Sequence, residues 1–172
     1  MNGLLNDLTW EEANEAFASG ATVIIPVGSN EQHGPHMPVN CDTFFVTKVV
    51  EKLVEKLDDQ VPVLYTPTVW TGFSPHHRDF PGTITLRLET LIAVVYDICA
   101  SLIHHHVRRI VIINGHGGNA IPLRAAGSKI GDELGNAPLV MSYWDVIGKD
   151  WEELIKERPA GIGHGGEAET SL

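Results

Sequence analysis

The chain has 172 residues, 43% hydrophobic and 20% charged, a balance that fits one globular domain with a sizeable core. A formal net charge of −10, with no compensating run of Lys or Arg, argues against nucleic acid or an anionic membrane as a partner. Cys41 and Cys99 lie far apart and form no CxxC, which argues against a disulfide scaffold; MNGLLNDLTW carries no basic-then-apolar leader and no apolar run reaches membrane-spanning length, so the expectation is a cytoplasmic protein.

In chain order, Thr9-Trp10-Glu11-Glu12 is a capping box that predicts a short helix over 10–18. The β-branched run Ala21 to Val27 predicts a buried strand ending at Gly28. From Asp42 to Leu57, apolar residues at Phe45, Val49, Val50, Leu53, Val54 and Leu57 have helical spacing. Val61 to Val69 predicts a second strand, Ser74 to Gly82 a polar loop, and Ile84 to Leu88 an edge strand. Glu89 to His105 predicts an amphipathic helix, and Arg109 to Asn114 is the clearest buried strand. A tight loop, Gly115 to Asn119, leads into a helix running to about Leu134. Ala137 to Tyr143 predicts a strand, Asp150 to Lys156 a short helix, and Gly161 to Gly166 a Gly-rich stretch. Strands alternating with helices imply an α/β fold with a largely parallel sheet, in which ligands sit beyond the carboxyl ends of the strands.

Two loops at such strand ends carry chemistry. The segment from Gly28 to Asp42 holds Glu31 and His33, two apart and so on one side of extended backbone, and Asp42 at a helix start. These are ligand types for a divalent metal, and a carboxylate at Asp42 is placed to bridge two cations. An ordinary polar loop with Asp42 as N-cap is the plain alternative. The second loop, Asn114-Gly115-His116-Gly117-Gly118-Asn119, offers one ligand histidine, and backbone N–H groups for an anion or oxyanion. It lacks the Lys-Ser/Thr and GxGxxG patterns of phosphate loops. A third group, His164, Glu167 and Glu169, offers a base, a ligand or a substrate contact, against a flexible Gly-rich tail. His104 to His106 close a helix, where cations suit the dipole. His36, His76 and His77 lie in loops, where a contact to substrate competes with no role, and Trp144 follows a strand and is a candidate pocket wall. Ser29 and Ser171 have no evident triad partners.

The segments PVGSNEQHGPHMPVNCDT, FSPHHRDFPGTITL, INGHGGN and HGGEAETS, in this order through almost the whole chain, resemble the creatininase (creatinine amidohydrolase) family. The resemblance implies a three-layer α/β/α domain over 1–172, expected to lack the C-terminal part of the family domain. It implies two divalent metal ions per chain, zinc, manganese or iron. Glu31 and His116 would hold one and His33 the other, with Asp42 as the bridge. Creatininase has a further Glu two residues after the loop histidine; here that position is Gly118, so Glu169, or less readily Glu167, is expected to complete the second metal. His164 matches a histidine that faces substrate and His77 a recurrent loop histidine; Gly117, Gly118 and Trp144 are expected at the substrate. The implied activity is hydrolysis of a small-molecule amide, lactam or formamide by a water activated between the metals, with His164 or Glu169 moving the proton, in a homo-oligomer, often a hexamer. The alternative is a catalytically incomplete metal- or ligand-binding fragment.

Overall fold

A computed structural model describes residues 2–57, 62–146, 155–156 and 163–171. Its centre is a five-stranded sheet in the order β1-β3-β2-β4-β5, every pair parallel. The strands are β1 (Asn2–Leu4), β2 (Thr22–Val27), β3 (Val63–Tyr65), β4 (Arg109–Asn114) and β5 (Leu139–Ser142). The helices are α1 (Trp10–Ala18), α2 (Cys41–Lys56), α3 (Leu88–His104), α4 (Ala120–Leu134) and a last short one, α5 (Glu167–Ser171). Among the described residues, no helix is long and apolar enough to cross a membrane.

The period-two alternation of β2 and β4 makes the layers. Val23, Ile25, Val27, Ile110 and Ile112 face one side, where they pack with Leu91, Val95 and Cys99 of α3 and Leu123, Ala126 and Ile130 of α4. Ile24 and Ile113 face the other side and pack with Val46, Val50 and Val54 of α2. Both faces of the sheet are therefore covered, which is why its strands are apolar throughout rather than alternating apolar and polar. The expected α/β/α sandwich is present.

Several local expectations need correction. Residues 84–88 form no strand: Ile84 makes a single antiparallel bridge with Asn30, is half exposed, and Leu88 already opens α3. Alternation there lacks a neighbouring strand to bury against. β3 is shorter than expected because Pro67, without an N–H, interrupts the run, and Val69 rejoins only through a bridge to Val27. In α2 the buried stripe is Phe45, Val46, Val50 and Val54, while Leu53 and Leu57 face outward. β1 has no counterpart among the expected elements, since three residues are too few to show a period. The helix expected over Asp150 to Lys156 and the start of the Gly-rich stretch lie largely outside the described residues. The capping box at α1 is formed: Thr9 Oγ1 accepts from Glu12 N, and Glu12 Oε2 accepts from Thr9 N at 2.8 Å.

Ile112 is fully buried at the middle of β4. Ile112→Ala is expected to lower unfolding free energy by about 2–5 kcal/mol, read from urea denaturation midpoints, and a loss below about 0.5 kcal/mol would contradict this core assignment.

Candidate functional site

β2 and β4 are paired in register to their last residues, Val27 beside Asn114. The loops that follow therefore leave the same edge of the sheet together. The loop after β2 carries Glu31 and His33, the first turn of α2 carries Asp42, and the loop after β4 carries His116. Asp42 is not the helix cap: Asn40 takes that position, and Asp42 turns inward from the second helical residue. There its carboxylate also meets the positive end of the helix dipole. Glu31 and His33 are 0% exposed, Asp42 3% and His116 5%, so four ionisable side chains share one dry volume. Charge in such a place needs partners of opposite sign.

Asp42 stands between two imidazoles. Its Oδ1 is 3.1 Å from His33 Nε2, and its Oδ2 is 2.9 Å from His116 Nδ1. The second contact is short but is not aimed as a hydrogen bond, and Oδ2 has no hydrogen-bond partner. Neither oxygen of Glu31 has one either; Oε2 lies 3.3 Å from His116 Nε2, and Oε1 lies 3.4 Å from His164 Nδ1 and 3.8 Å from His77 Nε2. Three buried carboxylate oxygens without a hydrogen bond, beside two imidazoles, could hold a divalent cation, and these residue types fit zinc, manganese or iron.

The tautomers follow from groups that can act in one sense only. His33 Nδ1 sits 3.1 Å from the Glu31 carbonyl, which accepts, so Nδ1 carries the proton and Nε2 turns to Asp42. His116 Nε2 sits 3.3 Å from the Phe73 carbonyl and 3.0 Å from Ser74 Oγ. It carries the proton, which leaves Nδ1 for Asp42. Gln32 Oε1 accepts from Gly34 N, so its NH₂ points the other way, donating to His77 Nδ1 at 3.1 Å and His164 Nε2 at 2.9 Å. In neutral His164 the proton is then on Nδ1, facing Glu31.

Glu169, on α5, brings Oε2 to 3.8 Å from His33 Nε2. Glu167 instead accepts from the backbone N–H of Lys156. Among the described residues four overlapping triplets bring one ligand atom each within 4.8 Å: Glu31 with His33 and Asp42, Glu31 with His76 and His116, Glu31 with His77 and His164, and His33 with His164 and Glu169. The five expected ligands, Glu31, His33, Asp42, His116 and Glu169, are thus gathered around one place. A cavity of about 530 Å³ opens beside them, lined among others by His77, Gly117, Gly118, Trp144 and His164. That size suits a small molecule. His36 instead ties its loop to Thr170 on α5, and His104 to His106 end α3 at the opposite edge of the sheet.

Burial pulls the His33 imidazole down, but the hydrogen bond and charge of Asp42, with the Glu31 carbonyl and Glu169, lift it to about 9. Burial likewise opposes the charged form of His116, and the adjacent Asp42 and Glu31 carboxylates raise it nonetheless. Asp42 is pushed up by burial and brought below its ordinary value by His116 and His33. Glu169 is raised, chiefly by burial, against the Gly165 N–H and His33. His77 is lowered, chiefly by burial.

Four residues that spacing did not single out hold this arrangement. Asn114 grips the His116 backbone from both sides, accepting from its N–H at 3.0 Å and donating to its carbonyl at 2.8 Å. Asn119 accepts from Phe73 N at 2.8 Å and donates to the Gly28 carbonyl at 2.9 Å, tying three loops together. Ser29 and Ser74, both fully buried, share a 2.6 Å hydrogen bond. Both asparagines were visible in INGHGGN, but the partners of Asn119, Phe73 and Gly28, lie in loops remote in sequence.

Two glycines in that loop differ sharply. A Cβ at Gly118 would overlap the Phe73 carbonyl and His116 Nε2, whereas a Cβ at Gly117 meets nothing within 4 Å. Gly118→Ala is expected to cost about 1–3 kcal/mol and Gly117→Ala much less, as measured by urea unfolding; equal costs would refute the close approach.

Metal ligation requires neutral imidazoles, while metal-free His33 is held protonated up to about pH 9. Because its folded pKa lies above the ordinary 6.5, its contribution to metal-free stability is full below about pH 6.5 and is lost as pH rises through about 9. Zinc uptake at pH 7 should accordingly release protons, and apparent affinity should rise from pH 6 to 9. Calorimetry in two buffers of different ionisation enthalpy reads this, and heats independent of buffer would contradict it.

A family profile described as "Creatininase: Creatinine amidohydrolase" matches residues 6–172. The chain is 34% identical over 185 residues to a creatinine amidohydrolase of Pseudomonas putida, covering 98% of this chain and 69% of that protein. It is 32% identical over 177 residues to a mycofactocin precursor peptide peptidase of Mycobacterium tuberculosis, covering 98% of this chain and 64% of that one. Among solved structures, a creatininase variant described as Zn–Zn type superposes with a TM-score of 0.84 at 30% identity, covering 98% of this chain and 70% of the other.

Proposed function

Since the chain belongs to the creatininase family, we propose that it is a metal-dependent amidohydrolase acting on an amide, lactam or formamide C–N bond of a small molecule. The observation that carries this reading is the set of three buried carboxylate oxygens, two on Glu31 and one on Asp42, that lack hydrogen bonds beside His33 and His116. Glu31, Asp42 and His116 would hold one divalent cation, and His33, Asp42 and Glu169 the other. Zinc stands in the description of one similar structure, and manganese or iron suits the same donors. Such cations, when bound, polarise a carbonyl and acidify water.

The chain's own groups do the rest. The cavity beside Asp42 seats the amide, with Trp144 as one wall and His77 as another. Backbone N–H groups at Gly117 and Gly118 are available to the oxygen on which negative charge develops. His164, whose neutral ring carries its proton on Nδ1 toward Glu31 when Gln32 donates to Nε2, would have to turn that proton to the leaving nitrogen. Help of this kind is worth about 10²–10⁴ in rate. Glu169 is proposed as the alternative carrier of that proton, through an oxygen that ligation leaves free. The two relatives named above act, by their names, on creatinine and on a peptide, so substrates differ within the family and the cavity walls are proposed to choose among them. The protein is also proposed to act in the cytoplasm as a homo-oligomer.

Metal content per chain, measured by mass spectrometry on protein purified without chelator, tests the reading. About two divalent ions are expected in the wild type, near none in Asp42→Ala and about one in Glu169→Gln. Amide hydrolysis should vanish with Asp42→Ala. Full turnover by metal-stripped Asp42→Ala, or a wild type holding one ion or none, would overturn it.

A further inference from the structure

Ser29 and Ser74 are left over once the ligands and the cavity are accounted for. Both hydroxyls are fully buried, a poor place for an idle O–H. Ser74 Oγ lies 3.0 Å from His116 Nε2 and 2.6 Å from Ser29 Oγ. The direction of this chain is set by the Phe73 carbonyl and Glu31 Oε2, each 3.3 Å from Nε2, the first able only to accept and the second, as a carboxylate, likewise. Nε2 therefore donates, Ser74 Oγ accepts, and the Ser74 proton passes to Ser29 Oγ. The segment is itself pinned: Ser74 N donates to Thr85 Oγ1 and Phe73 N to Asn119 Oδ1, each at 2.8 Å. On the far side of the ring, Nδ1 lies 2.9 Å from Asp42 Oδ2.

We infer that Ser74, backed by Ser29, is a positioning residue that holds His116 by its Nε2–H and thereby presents Nδ1, not Nε2, to the cation. The inference rests on the metal reading above. It assigns a role to a loop between β3 and α3 that contributes none of the expected ligands. A ligand histidine held at its other nitrogen keeps its ring orientation and basicity, and loss of such a partner typically weakens metal binding 10–100-fold. Serines that merely satisfied each other would leave the histidine indifferent to their removal.

The test uses the full chain with ¹⁵N-labelled histidine rings, zinc as the probe, and the variants Ser74→Ala and Ser29→Ala. In the wild type, zinc should shift His116 Nδ1 while Nε2 keeps a slowly exchanging proton. In Ser74→Ala that proton should exchange faster, and zinc affinity, read by competition with a chromophoric chelator, should fall about 10–100-fold at one site. Ser29→Ala should show the same changes at smaller amplitude, and it decides the matter if Ser74→Ala does not fold. Zinc affinity within twofold of wild type with unmoved ring signals overturns the inference, as does zinc ligation through Nε2. A wild type that takes up no zinc overturns the metal reading itself; zinc uptake with serine-independent ring signals overturns the positioning role alone.

Discussion

Everything at this site depends on one carboxylate that is almost wholly buried. Asp42 is turned into the protein from the first turn of α2, with one oxygen against His33 and the other against His116. An isolated buried carboxylate would be prohibitive; two raised imidazoles and a helix N-terminus make it tolerable. The imidazoles come from two loops that are neighbours because β2 and β4 pair in register to their ends. The parallel sheet is thus the frame that makes a three-way electrostatic contact possible.

That contact leaves residual cost. Glu31 is fully buried with no hydrogen bond on either oxygen. Packing elsewhere has to offset this, and it does so with a continuous apolar core on both faces of the sheet. Strain concentrated at a functional site and balanced by surrounding structure is the usual pattern in folds that bind ions or substrates. Asn114 braces its own loop, and Asn119 and Gln32 bond loops to one another, around these carboxylates.

Gly118 illustrates how the absence of a side chain lets two loops meet. The Phe73 carbonyl and the His116 ring fill the space a side chain there would need, and Glu169 on α5 approaches His33 from another direction. The loop that carries Phe73 and Ser74 can press this closely only because Gly72 meets Asn119 and the Gly28 carbonyl, where a Cβ would collide. The close approach that glycine permits, together with the Asn119 amide that bonds across it, holds the three loops in place.

The sequence by itself determined the α/β alternation, the parallel sheet and the principal candidate ligands, because each rests on a short-range signal. β-Branched runs mark β2 and β4, helical spacing marks α2, and Glu31-x-His33 with Asp42 and His116 stand at strand ends or a helix start. The same short-range reasoning extended an alternating run at 84–88 into a strand that has no neighbour to pair with, and it passed over β1. Only the tertiary structure separated Glu169 from Glu167, showed Asp42 as an inward-facing residue rather than a cap, and joined Ser74 to His116 across 42 positions and to Ser29 across 45. Such contacts depend on where loops meet after the sheet has formed, and no periodicity or spacing along the chain encodes that meeting.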